Sequence, residues 1–299
     1  MRQSIVLDGQ KVSRWRASWL LVLESVRFLR SDKELLLIPV VAGVIWTVLV
    51  TVEVLLMLMM GLFVSESIVS PATVVIFFVL YITTVLVGHA ASAAVTHTVA
   101  VRAGGGNANL GQSLSAVVTR VWPLLVWLLI SGTIGMGLRF LSERSVLLGK
   151  LLANVLGAAW NTLTIFVLPA IMLEKQATLP ALKHSAAVFT KHWGETVITN
   201  ISIKITFLLL HLVALALFLG SVYISTATNQ IVIFAVGAGL WLFWILIALL
   251  LERVLTTIVT TLLYIYATAP VPPANFNHEL IDQILQRSRM TPVVLPESN

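Results

Sequence analysis

Cysteine is missing from all 299 residues, which excludes disulfides, thiol nucleophiles and cysteine-ligated metals and leaves the redox compartment open. Charge is scarce too: 11% of residues are charged against 58% hydrophobic, and the mean hydropathy of +0.97 is far from the globular balance. So little polar sequence leaves no room for a separate soluble domain of roughly 50 residues, and a single membrane domain is expected. The common catalytic signatures are missing as well. No G-x-S-x-G, H-E-x-x-H, G-x-x-x-x-G-K or G-x-G-x-x-G occurs. Gly104 to Gly106 is followed by neither Lys-Ser nor Lys-Thr and reads as a flexible turn. His184 and His192 stand eight apart, too far to share a metal without further ligands. No catalytic residue, cofactor, metal site or nucleic-acid partner is expected. The N-terminal segment lacks an apolar core with a small-residue cleavage site, so no removable signal peptide is expected.

What the sequence does have is long apolar runs: Leu35 to Phe63, Ala72 to Val99, Val121 to Leu138, Val146 to Leu173, Thr196 to Tyr223 and Ile231 to Ala267. Each meets the ~20 residues needed to cross a bilayer core. The predicted fold is all-α: a polytopic bundle of six transmembrane helices with short amphipathic interfacial helices. Six spans put both termini on one side. Fourteen Lys and Arg fall on that side and three, Arg139, Arg144 and Lys150, on the other, so both termini are expected on the cytoplasmic side of the cell membrane. The expected division is an interfacial segment over 1–34, the membrane domain over 35–269 and a cytoplasmic tail over 270–299.

The chain is organised around Ser31 to Val40, where Ser31 and Glu34 have the spacing of a capping box just ahead of an apolar run. Before it, Trp15, Trp19, Val22, Val26 and Leu29 form one helical stripe with Arg16, Arg27 and Arg30 on other faces, suiting a helix that lies on an anionic leaflet. Leu110 to Arg120 leads into span three in a similar way. Thr178 and Pro180 suit an N-cap and first turn for a helix to His192, with Trp193 and Gly194 as the break before span five. Aligning S-V-R-F-L-R, S-A-V-V-T-R and S-A-A-V-F-T-K suggests a three-fold unit of short helix, basic corner and two spans. Span six is long enough that the chain beyond Glu252 and Arg253 is expected to project as a stalk or bend along the interface, with a short amphipathic helix over 278–287.

Two groups of residues are candidates for function. Asn200, Lys204 and His211 share a face of span five, Asn154 and Asn161 a face of span four, and His89 lies on the same side of span two as Thr96. With Glu53 and Glu252 they form a candidate intramembrane seam, read either as interhelical hydrogen bonds or as a pathway, and Lys204 is expected to pair with Glu252. Transport calls for broken helices or inverted halves, neither of which the three-fold pattern supplies. The second group is a basic collar on the cytoplasmic leaflet: Trp15, Arg16, Trp19, Arg27, Arg30, Arg120, Lys183, Lys191 and Trp193. The leading expectation is a non-catalytic accessory or scaffold that binds anionic lipid headgroups or a membrane protein partner through this collar. The alternative is a transporter or channel for a small or lipid-like solute using the seam, and an intramembrane enzyme is the third class.

S-W-L-L-V-L-E-S-V-R-F-L-R-S-D-K-E-L-L-L-I-P, the corner L-R-F-L-S-E-R at 138–144, G-A-A-W-N-T-L-T-I-F-V-L-P at 157–169 and Y-I-Y-A followed by P-x-x-F resemble an uncharacterised family of bacterial and archaeal six-span membrane proteins, a domain of unknown function. The resemblance implies the same fold and topology and brings no reaction, substrate or ligand residue. A looser, architectural likeness connects the chain to the membrane domains attached to some glycerophosphodiester phosphodiesterases.

Overall fold

Apolar sequence with few breakers becomes helix, because a backbone in lipid must satisfy its own polar groups. A computed structural model describes residues 4–7, 10–13, 33–59, 71–144 and 147–268. It contains α1 (Lys33–Met59), α2 (Pro71–Ala103), α3 (Leu110–Thr119), α4 (Val121–Arg144), α5 (Leu147–Leu163), α6 (Val167–Leu173), α7 (Thr178–Thr228) and α8 (Ile231–Thr268). The architecture is all-α, with six segments long and apolar enough to cross a membrane: Leu35–Met59, Phe78–Ala103, Val121–Ser142, Gly149–Leu173, Ile201–Thr228 and Ile231–Thr268. A short antiparallel ribbon, β1 (Ser4–Leu7) with β2 (Gln10–Ser13), comes before them in the chain and pairs Ser4 with Ser13 and Leu7 with Gln10. The predicted interfacial helix, the Ser31 cap and the C-terminal helix lie outside the described residues.

Two compact units divide the chain, Asp32–Thr190 and the combination of Met1–Ser31 with Lys191–Asn299. In the first, α1 packs on α2 and α4 on α5, while α2 also carries α3 and α6. Small residues on α2, among them the buried Ser92, Ala93 and Ala94, allow that close approach, and Trp46 Nε1 donates to Thr84 Oγ1 at 2.9 Å across the α1–α2 pair. Trp127 of α4 stacks on Trp160 of α5 with ring centroids 6.0 Å apart. The core of the unit lies toward one end, where Leu35 and Ile38 of α1, Val99 of α2, Leu124 of α4 and, around α6, Phe166, Val167 and Pro169 to Met172 are buried.

Span four is not the unbroken helix the hydrophobic run suggested. It stops at Leu163, turns through Thr164 to Phe166 and resumes as α6. Pro169 stands in the first turn of the resumed helix, where its missing N–H costs nothing, and it could give no hydrogen bond to the Ile165 carbonyl had the helix run on. The break is filled from elsewhere in the unit. Ser185 Oγ on α7 donates to Leu163 O at 2.7 Å and accepts from Phe166 N at 3.0 Å, satisfying one freed carbonyl and one freed N–H with a single hydroxyl.

In the second unit, α7 and α8 meet through a tight corner in which Asn229 takes φ +52° and Gln230 N returns to Ser225 O at 3.1 Å. Phe218 stacks on Trp241 at 4.9 Å, and Gly237 lies so close to α7 that a Cβ there would overlap the Ser221 side chain. Two further expectations are corrected. Helix α7 runs through Trp193 and Gly194 without a break, because one glycine costs only about 1 kcal/mol in a helix interior. Beyond Glu252, α8 is no projecting stalk: Val254, Leu255, Ile258, Val259 and Leu262 to Tyr264 are buried, and Thr260 and Thr261 with them.

Candidate functional site

The Asp32–Thr190 unit gathers several span ends at one face. Ala103 closes the span of α2, Val121 opens that of α4 and Leu173 closes that of α6. A base stands within two residues of each: Arg102, Arg120 and Lys175. Two hydrogen bonds tie the segments together. Arg120 Nη1 donates to Lys175 O at 3.0 Å, and Thr178 Oγ1 donates to Pro123 O at 2.8 Å. Thr178 was expected as an N-cap; instead it is the first residue of α7, and its hydroxyl serves this contact with α4.

Residues next to these bonds make a mixed rim. Trp122 adjoins Pro123 and is 73% exposed, Leu179 adjoins Thr178 and is 61% exposed, and Lys183 lies one turn further along the Leu179 face of α7. Indole and leucine at a span end with bases beside them is the arrangement of headgroup-depth residues. One acid stands among the bases: Glu174 Oε1 lies 3.3 Å from His184 Nε2 on α7, and Glu174 Oε2 accepts from Gln176 Nε2 at 2.6 Å.

The backbone at the rim is unusual. Lys175 follows α6 with φ +55°, in the left-handed region that glycine adopts without steric cost. The neighbouring stop after α2 uses glycine: Gly105 has φ +81°, Gly106 N returns to Val101 O at 2.9 Å, and a Cβ on Gly106 would meet Val101 Cγ1 at 2.8 Å. The predicted flexible turn is therefore a defined helix stop. It leads to a capping box in which Asn109 Oδ1 accepts from Gln112 N at 2.8 Å and Gln112 Oε1 from Asn109 N at 3.0 Å.

Beneath the rim is a polar chain that the sequence did not single out. Thr98 Oγ1 donates to Ala94 O at 3.0 Å, so it accepts the Ser113 hydroxyl proton at 2.7 Å, and Ser113 in turn accepts from His97 Nδ1 at 3.3 Å. Ser113 is wholly buried and anchors α3 to α2.

Of the collar residues, Arg120 and Lys183 lie at this rim. Trp15, Arg16, Trp19, Arg27 and Arg30 fall outside the described residues, and for Lys191 and Trp193 only the helical backbone of α7 is described. The seam residues divide between the units. In the first, Asn154 and Asn161 are exposed on α5, His89 Nδ1 donates to Val85 O of its own helix at 2.8 Å, and Glu53 is half-buried with Oε2 lacking a hydrogen-bond partner among the described residues. In the second, Lys204 is exposed and His211 meets Trp244 edge-on at 6.4 Å; Asn200 is described by its backbone alone. Among the described residues no ion pair joins Lys204 to Glu252, and Lys204 turns outward. At the break in span four, Ser185 takes both freed groups, and Phe166 and Val167 are fully buried.

Compared with known proteins, residues 70–271 match one family model, described as Family of unknown function (DUF6159). No curated protein and no solved structure matches.

Proposed function

The chain, with its six apolar helices, belongs to that family of unknown function, and we propose that it acts without catalysis, holding anionic lipid headgroups of one leaflet on the rim formed by Arg120, Lys175 and Lys183. Lys175 carries the reading. A lysine stands where the backbone favours glycine, at a cost of about 1 kcal/mol, and strain of this kind persists where the side chain has a use. Its carbonyl receives the Arg120 guanidinium, which brings two cations to one place, and Trp122 and Leu179 supply apolar contact at the same depth. The headgroup is recognised as a phosphate-bearing anion, to which bases near the surface contribute ~1 kcal/mol each.

The test is the double variant Lys175→Gln with Lys183→Gln, reconstituted after its insertion and topology have been checked. Anionic-lipid retention, measured against a zwitterionic lipid by mass spectrometry of the intact complex, is expected to fall by roughly thirtyfold, with salt weakening the wild-type preference. Retention equal to wild type would reduce the rim to a signal that orients the protein during insertion.

A further inference from the structure

From the distribution of exposure around α3 we infer that this helix lies in the plane of the membrane, with Leu114 and Val118 in the acyl–headgroup boundary of one leaflet. A helix at the surface of a water-soluble protein has two sectors, one buried and one wet. Helix α3 has three. Taking Ser113 as origin at roughly 100° per residue, Val117 lies at about 40°, and both are buried against the protein. Leu114 and Val118 follow at about 100° and 140°, apolar yet 39% and 69% exposed. Ser115, Thr119 and Gln112 complete the turn at about 200° to 260°, exposed and polar.

Protein, lipid and water each account for one sector, and among the described residues nothing covers the middle one. Connectivity fixes the depth independently. Only Arg120 separates α3 from Val121, the first residue of a membrane span, so Val118 is within about 10 Å of the bilayer boundary however the corner is built. Beyond Thr119 and Arg120, exposed apolar side chains resume with Val121 and Trp122 at the start of α4. On the buried side, the Ser113 hydroxyl bonded to Thr98 fixes the rotation of α3 about its axis, so the apolar sector has one setting relative to the spans. The bilayer surface therefore runs along α3, between the Val118 and Thr119 sides. The inference rests on the multi-pass reading alone and does not need the anionic preference of the rim.

A chain without cysteine makes the test direct. The variants Leu114→Cys, Val118→Cys, Ser115→Cys and Thr119→Cys each carry one nitroxide label, and the full-length protein is placed in bilayers of phosphatidylcholine only. Collision rates with dissolved oxygen and with a water-soluble nickel chelate then report depth. Labels at 114 and 118 are expected to shift toward oxygen and those at 115 and 119 toward nickel. Gly111→Cys, on the apolar side and with room for a Cβ, gives a second reading of that sector should either aliphatic variant misfold. Equal nickel access at all positions would overturn the inference, as would labels at 114 and 118 shielded from both reagents, which would mean that protein covers them. Because the lipid is neutral, loss of anionic-lipid retention in the rim variants leaves this result untouched, and the reverse also holds.

Discussion

Single residues at the rim set backbone preference against side-chain use. Gly105 and Lys175 occupy equivalent left-handed positions after α2 and α6, and only the first holds the residue that the conformation favours. Lys175→Gly is therefore expected to stabilise the protein by about 1 kcal/mol, by removing the crowding around a left-handed Cβ, while weakening its hold on anionic lipid. Unfolding in detergent followed alongside lipid retention checks both halves. A variant that loses stability would mean that the lysine side chain supports the fold. The bases Arg120 and Lys183 were legible in the sequence because charge beside an apolar run is conspicuous. Lys175 as a strained position was not, since the dihedral depends on where α6 stops. The same holds for Ser113: three ordinary residues, His97, Thr98 and Ser113, become a hydrogen-bonded chain only when α3 folds back on α2.

Elements show a similar division. The six apolar runs, and the all-α architecture with them, could be read directly, because the bilayer imposes one length and one backbone solution. Hydropathy does not register backbone chemistry, so span four read as continuous although Pro169 was in view. Trp193 and Gly194 read as a stop although a long helix absorbs one glycine. Asp8 and Gly9 are a hairpin signal, but the flanking Ser4–Leu7 and Gln10–Ser13 are short and the second is mostly polar, so the ribbon of β1 and β2 is faint beside the membrane pattern. Packing of α7 on α8 depends on Gly237, a contact that no sequence pattern revealed. Gly237→Ala is expected to lower thermal stability in detergent, because the new methyl overlaps Ser221, and Ser221→Gly in the same chain is expected to restore much of the loss. Independent, additive losses would show that the two helices do not meet at this point.

At the scale of the whole molecule, the imbalance of fourteen bases against three predicts that Gly104 and His184 face the compartment holding both termini, with Glu66 and Asn229 on the other side. Labelling of single cysteines at these four positions in intact cells and in inverted vesicles checks it, and outer labelling at Gly104 would reverse the orientation. The order in which the chain is made bears on assembly as well. Span four leaves the ribosome with its ladder open at Leu163 and Phe166, and the hydroxyl that closes it follows 22 and 19 residues later. Until Ser185 emerges, a translating chain holds an unfinished segment whose bare carbonyl and N–H cannot rest stably in lipid. Insertion of the fourth span and synthesis of the start of α7 are thus coupled in time: the fourth crossing is completed by a residue made after it and ahead of the fifth.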